Sequence, residues 1–180
     1  MLFFYKENDF NLMNRKSFFL LSFLLISIVS SAQSLYKDFY FNMPIVEAKQ
    51  LLKDDSKSLK KLSFGAGTSY AFRKSSLVDA EKKLVSINIW SNKNLNLSEA
   101  KKYLKNSRTY FEANSYKMVY AQENWFDPLL VKKNLPCIRF VDPKETLIVE
   151  MYPRGQGSVY NIFITFYNYD WFLRKARGEE

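Results

Sequence analysis

An amphipathic helical pattern occurs twice in this chain, and each copy is followed by strand-like segments. The segment MPIVEAKQLLK begins at Met43, and LNLSEAKKYLK begins 52 residues later, at Leu95. Apolar residues recur in both segments at the spacing of one helix face. Identical residues occupy five aligned pairs of positions: Glu47/Glu99, Ala48/Ala100, Lys49/Lys101, Leu52/Leu104 and Lys53/Lys105. The pattern predicts two helix-then-strand units of about 50 residues each, with chance similarity between two ordinary helices as the alternative.

Segments rich in β-branched and aromatic residues follow each predicted helix, which is typical of strands. The predicted strands are 69–74, 83–90, 115–122, 136–141, 146–152 and 158–168. Turn residues at 142–145 and 153–157 connect the last three, and the first of these turns fits a hairpin. A short helix is expected near the C-terminus. The sequence therefore predicts an α+β fold, in which two helix-then-antiparallel-strand units form one antiparallel sheet with helices on one face.

The starts of both unit helices can also be read from the sequence. Asn96, with Glu99 three residues later, has the pattern of an N-cap residue followed by a capping-box acid. Pro44 suits the first turn of the earlier helix. A backbone N–H group in that turn has no partner inside the helix, and proline has no N–H group to leave unpaired.

The N-terminal part of the chain has the three-part pattern of a bacterial secretory signal peptide. Two basic residues precede the apolar run 18–29, and small residues precede a cleavage site after Ala32. The apolar run is shorter than the roughly 20 residues that a spanning helix needs. We therefore expect translation to start at Met13 and residues 1–32 to form a leader, so that the protein is periplasmic or secreted. A buried N-terminal helix and a retained anchor are the alternatives.

Cleavage after Ala32 leaves residues 33–180, enough for a single α+β domain and without a membrane span. Three of the 27 Lys and Arg residues and two of the 18 Asp and Glu residues lie in the leader, so this domain carries 24 basic and 16 acidic residues. The surplus favours anionic partners over neutral ones, with an ordinary solvated surface as the alternative. No nucleic-acid-binding motif is present, and nucleic acid is not an expected partner of an exported protein.

The absence of histidine is the strongest chemical constraint in the sequence. It excludes Ser-His-Asp and Cys-His catalytic arrangements and every zinc site that uses histidine. Cys137 is the single cysteine, so neither an intrachain disulfide nor a cysteine-rich metal site can form. Its strand-like surroundings predict a small buried apolar residue. We predict no catalytic residue, no cofactor and no metal site, and an enzyme is not the favoured interpretation.

The segment 122–134 is predicted to be a long loop that carries the candidate binding residues. It contains adjacent aromatic residues, Trp125 and Phe126, and adjacent basic residues, Lys132 and Lys133. Aromatic side chains on a loop can anchor a partner or stack on a sugar, whereas lysines attract an anionic surface. The alternative is that the two rings fold back and close one end of the core.

Two further functions remain open at this point. A carboxylate-based envelope hydrolase would need a deep pocket where several candidate side chains converge: Glu123, Asp127, Asp142, Lys144 and Tyr160. A carrier of a small apolar ligand would need an enclosed cavity. The favoured interpretation is an exported bacterial envelope protein that acts as a non-enzymatic binding or interaction module, with a protein or an anionic envelope component as its partner.

The two helical segments and the order of elements across 41–168 resemble the β-lactamase-inhibitor-protein-like family. The small lipoprotein of the outer-membrane barrel-assembly machine is similar to one such unit, although its lipid-bearing cysteine has no counterpart here. The resemblance implies a protein that binds other proteins through its sheet and loops. It carries no functional residue over to this chain.

Overall fold

Both unit helices and all six predicted strands occur in the computed structural model, which describes residues 33–72, 78–156 and 158–179. The α+β class is confirmed, and so is the single antiparallel sheet built from two helix-then-strand units. The predicted leader, residues 1–32 with the cleavage site after Ala32, lies outside the described residues. Export and the start at Met13 therefore stay predictions.

The short helix expected near the C-terminus is confirmed, and one further helix, a 3₁₀ turn and three short strands of the described residues were not predicted. The helices are α1 (Ile45–Asp54), α2 (Leu97–Ala113), α3 (Pro128–Lys132) and α4 (Tyr169–Ala176), and a 3₁₀ turn covers Ser58–Lys60. The strands are β1 (Ser34–Tyr36), β2 (Phe39–Tyr40), β3 (Tyr70–Phe72), β4 (Val78–Ala80), β5 (Lys83–Ser91), β6 (Lys117–Ala121), β7 (Ile138–Val141), β8 (Leu147–Gln156) and β9 (Val159–Asn168). Within the described residues, no helix is long and apolar enough to cross a membrane.

The main sheet joins the two units through their last strands. The strand order is β3-β5-β9-β8-β7-β6, with β4 also paired to β5, and every pairing is antiparallel. At the junction between the units, Ile87 of β5 lies opposite Phe166 of β9, and Ile89 lies opposite Ile164. The strands β1 and β2 form a separate two-stranded ribbon. The edge strand of the second unit is β6, which is followed by the segment with the candidate binding residues.

One face of the sheet, called here the inner face, packs against α1 and α2. The helices contribute Ala48, Leu52, Ala100, Tyr103, Leu104 and Phe111 to a core that also contains Ile87 and Phe166. The Phe111 ring stacks on Phe64 and Phe140, with centroids 5.6 and 5.4 Å apart. Each fully buried side chain of this size stabilises the fold by about 1.5–3 kcal/mol. Among the described residues, eight aromatic side chains are buried in this core and six more pack against it.

The opposite, outer face of the sheet carries the C-terminal helix α4, so the expected placement of helices on one face holds for α1 and α2 only. Tyr167 projects from β9 on this side because its neighbour Phe166 points into the core. The ring of Trp171 stacks on Tyr167, with centroids 5.9 Å apart and planes at 10°, and Phe172 packs against the same ring. The helix therefore attaches through aromatic contacts, although none of its residues is fully buried.

The predicted capping box at the start of α2 is confirmed. Asn96 accepts a hydrogen bond from the Glu99 backbone N–H at 2.9 Å, and the Glu99 carboxylate accepts one from the Asn96 N–H at 3.0 Å. Pro44 is the N-cap residue of α1 and thus lies one position before the first turn in which it was expected. The capping box fixes where α2 begins, and α2 supplies one wall of the site described next.

Candidate functional site

Trp125 closes one end of the core. Its side chain is 9% exposed and belongs to the buried cluster on the inner face. The indole makes edge-on contacts with the rings of Tyr160 and Phe126, with centroids 6.1 and 6.0 Å away. Because it packs in this way, Trp125 offers one edge to the surface and does not project as a free anchor.

Phe126 lies on the surface and is covered by a lysine of α2. Its side chain is 39% exposed, and the Lys101 ammonium nitrogen lies 4.2 Å from the ring centroid. At this distance the cation is attracted by the face of the ring. The contact joins the predicted binding segment to α2, which was not included in the sequence-based prediction of the site.

A shallow groove of about 170 Å³ runs between α2 and the segment after β6 and is called here the α2 groove. It is lined by Lys101, Leu104, Lys105, Arg108, Ala121, Gln122, Glu123, Trp125 and Ile138. Its three cations lie at positions i, i+4 and i+7 of α2, so they share one side of that helix. Trp125 and the apolar residues lie between these cations and the sheet.

Two cations of the α2 groove have no carboxylate partner among the described residues. Neither Lys101 nor Lys105 forms an ion pair there, whereas Arg108 pairs with Glu112 at 2.9 Å. Like charges at i and i+4 destabilise a helix by roughly 0.2–0.5 kcal/mol. The groove therefore carries a surplus of positive charge beside an aromatic surface, with Glu123 as the one carboxylate among the described residues that line it.

The helix α3 lies inside the segment that was predicted to be a loop, which corrects that prediction. Asp127 caps it by accepting a hydrogen bond from the Leu129 N–H at 2.8 Å, and Pro128 occupies its first turn. Lys132 and Lys133 are exposed at its C-terminal end, where the helix dipole favours cations. They do not line the α2 groove.

An apolar pocket lies between α3 and β6, but it is small. It encloses about 90 Å³ and is lined by Tyr120, Gln122, Trp125, Leu130, Leu135, Pro136, Cys137 and Pro153. Sites for small organic ligands commonly measure about 300–1,000 Å³. The pocket is therefore too small for the apolar cargo that a carrier would hold.

Cys137 lies at the bottom of the apolar pocket as a buried thiol. It is 1% exposed, and its S–H group donates to the Met151 carbonyl oxygen at 3.3 Å. Burial raises the pKa of Cys137 to about 12. A thiol with this pKa is protonated at neutral pH, so it lacks the thiolate that a nucleophile needs.

The β6–β7 pairing keeps Asp142 apart from Glu123, whereas Asp127, the other carboxylate considered for a hydrolase, follows Glu123 in the same segment. Asp142 follows the end of the ladder where Lys117 pairs with Val141, and Glu123 follows the other end, where Ala121 pairs with Ile138. About 13 Å of strand separates these ends, whereas a glycosidase needs its carboxyl groups about 5–9.5 Å apart. Among the described residues, no group of three or more acidic or cysteine side chains could hold a metal ion.

Asp127 and Asp142 also have evident structural roles. Asp127 caps α3, and Asp142 accepts hydrogen bonds from the backbone N–H groups of Thr146 and Leu147, both at 2.6 Å. These bonds fix the turn between β7 and β8, which the sequence predicted as a hairpin. Both carboxylates are thus used as hydrogen-bond acceptors for the backbone.

A row of polar side chains on the outer face was not predicted from the sequence. Glu150 is 3% exposed and accepts a hydrogen bond from Arg139 Nε at 2.7 Å and another from the Tyr152 hydroxyl. In the same row, Thr165 donates to Asn88 at 2.9 Å. Burial, with Tyr167 and Glu150 nearby, raises the pKa of Tyr152 well above its ordinary value. The row is thus a hydrogen-bonded network in which the Tyr152 hydroxyl is neutral and the Glu150 carboxylate is paired with Arg139.

No protein-family model matches this chain, and neither a curated protein nor a solved structure matches it. The chemistry of the α2 groove and of the segment beside it is therefore the basis on which a function is inferred.

Proposed function

We propose that this chain is an exported, non-enzymatic binding protein that recognises an anionic envelope component or an acidic protein surface. The α2 groove and segment 122–134 form its recognition surface. The observation that carries this proposal is the pair Lys101 and Lys105, two cations without a carboxylate partner among the described residues, beside the rings of Trp125 and Phe126.

An anionic ligand removes the electrostatic cost of this arrangement. Lys101 and Lys105 repel each other along α2, and an anion bound between them replaces that repulsion with two attractions. Phe126 holds the first of these ammonium groups at the edge of the groove. The net charge of the domain adds long-range steering toward the same class of partner.

The remaining chemistry favours binding over catalysis. The thiol of Cys137 is protonated at neutral pH, and the carboxylates of Glu123 and Asp142 lie at opposite ends of a ladder. The resemblance to the β-lactamase-inhibitor-protein-like family points to the same class of function, since that fold implies binding through the sheet and its loops. The predicted signal peptide gives the envelope as the compartment.

The two similar helices provide a matched test of the proposal. Lys101→Ala with Lys105→Ala removes two charges from the α2 groove, and Lys49→Ala with Lys53→Ala removes two from the equivalent positions of α1. The immobilised exported protein is exposed to envelope extract at low and high salt. We expect the α2 pair to lose the salt-sensitive retention and the α1 pair to keep it. Equal retention by both variants, or none by the wild type, contradicts the proposal.

A further inference from the structure

We propose that the recognition surface docks on the headgroup layer of an anionic phospholipid bilayer, an inference that rests on the proposed function. Eight large apolar side chains are exposed within the described residues, and five of them come from 119–135. These five, called here the apolar rim, are Val119, Tyr120, Phe126, Leu129 and Leu135. They are concentrated at the end of the molecule that holds the α2 groove, which marks this end as a contact surface.

Three members of the apolar rim, Tyr120, Leu135 and Phe126, are linked through the apolar pocket between α3 and β6. Tyr120 and Leu135 line the same apolar pocket, together with Leu130 of α3. Phe126 contacts Trp125, which lines that pocket from the other side. Leu129, at 69% exposure, projects from the outward side of α3. Tyr120, Leu135 and Phe126 thus lie around one shallow pocket, and Val119 and Leu129 add exposed apolar surface on β6 and α3.

Cations accompany the apolar rim. Lys101 and Lys105 lie on the α2 side, and Lys132 and Lys133 lie at the end of α3. The acidic residues on this part of the surface are Glu123 and Asp127, and the Asp127 carboxylate is engaged as the cap of α3. Apolar tips bordered by lysines match a surface whose outer layer is anionic and whose interior is hydrocarbon.

Three features favour a bilayer over an acidic protein as the occupant. The grooves between the tips measure about 170 and 90 Å³, so they offer little depth for the anchor side chain of a protein partner. The four cations of this surface that have no ion pair among the described residues are lysines, which act as flexible point charges and lack the fixed fork of arginine, whereas Arg108 and Arg139 are paired with Glu112 and Glu150. Their stems can lie along the apolar tips while the ammonium groups reach lipid phosphates. A deformable bilayer requires no fixed shape complementarity.

The test compares lipid binding by variants that are matched in exposure and in charge. The exported protein is sedimented with vesicles of phosphatidylcholine alone, or of phosphatidylcholine with an equal part of phosphatidylglycerol. Leu129→Ser removes a rim tip, and Val46→Ser, at 76% exposure on α1, removes an equally exposed apolar side chain elsewhere. Lys132→Gln with Lys133→Gln is compared with Lys49→Gln with Lys53→Gln.

We expect binding to the mixed vesicles only, weakened about tenfold by Leu129→Ser and roughly 25-fold by the Lys132 and Lys133 pair. The α1 variants should bind nearly as the wild type does. Absence of vesicle binding, or equal losses in the rim and α1 variants, overturns the bilayer inference. If retention from detergent-solubilised extract still depends on Lys101 and Lys105, the partner is a protein and the proposed function stands. If that dependence is also absent, both proposals fall.

Discussion

The Lys101 ammonium nitrogen lies 4.2 Å from the centroid of the Phe126 ring and links α2 to the segment that follows β6. The two residues are far enough apart in sequence that neither predicts the other. Their contact turns two separate patterns, a basic helix face and an aromatic pair, into one surface.

The first prediction concerns export. If the leader is removed after Ala32, the protein recovered from the cell envelope or the medium begins at Gln33. Intact-mass measurement together with N-terminal sequencing checks this directly. A folded, recovered protein that retains residues 18–29 contradicts the predicted signal peptide.

Trp125→Ala should destabilise the fold far more than Phe126→Ala. The indole of Trp125 is buried and packs on Tyr160, so its removal leaves a cavity that costs about 3 kcal/mol of unfolding free energy. Phe126 is partly exposed, so Phe126→Ala should lower the unfolding free energy by less than about 1.5 kcal/mol. Denaturant melts of the two variants give both values, and equal losses would show that Trp125 is not part of the core.

Cys137→Ser should leave the protein folded and unchanged in binding. The serine hydroxyl can donate to the Met151 carbonyl as the thiol does, so only the burial of a more polar group remains, at about 1–3 kcal/mol. Because burial raises the pKa of Cys137 to about 12, native protein should react slowly with a bulky thiol reagent. Labelling as fast as in denatured protein contradicts the buried position.

Glu150→Ala should be one of the most destabilising single changes on the outer face. The substitution leaves the Arg139 guanidinium without its carboxylate, and it leaves the Tyr152 hydroxyl with only the Tyr167 hydroxyl, 3.4 Å away, as a partner among the described residues. Loss of a buried partner of this kind costs about 3 kcal/mol. Glu112→Ala breaks the exposed pair with Arg108 and provides the control, with an expected cost of about 0.5 kcal/mol. Similar melting temperatures for the two variants would contradict a buried role for Glu150.

Local signals made a large part of the fold predictable. The strand β5 and the capping box at Asn96 are encoded by neighbouring residues, and both agree with the sequence-based expectation. The helix α3 was missed although Asp127 and Pro128 form a readable helix start, because its five residues are too few to show a helical period. The short strands β1, β2 and β4 were missed because each consists of only two or three residues, too few to show the alternation of a strand. Their partners are close in the chain, since β1 pairs with β2 and β4 pairs with β5.

Only one of the two parts of the site could be predicted from the sequence. The aromatic and basic residues of 122–134 stand out in the sequence, whereas Lys101 and Lys105 read there as the solvated face of a helix. Their role as one wall of a groove depends on how α2 packs on the sheet, which no local pattern encodes. The outer-face row depends on strand register in the same way, since Arg139, Glu150 and Thr165 become neighbours only when β7, β8 and β9 pair.

The surface around Phe126 is where the partner is proposed to bind. A photoreactive phenylalanine analogue at Phe126 or at Tyr110 tests this in producing cells, because the two positions are 39% and 37% exposed and lie in different surroundings. Illumination should yield adducts, whether lipid or protein, from position 126 and few from position 110. Equal adduct yields at the two positions, or adducts only at position 110, would contradict the account.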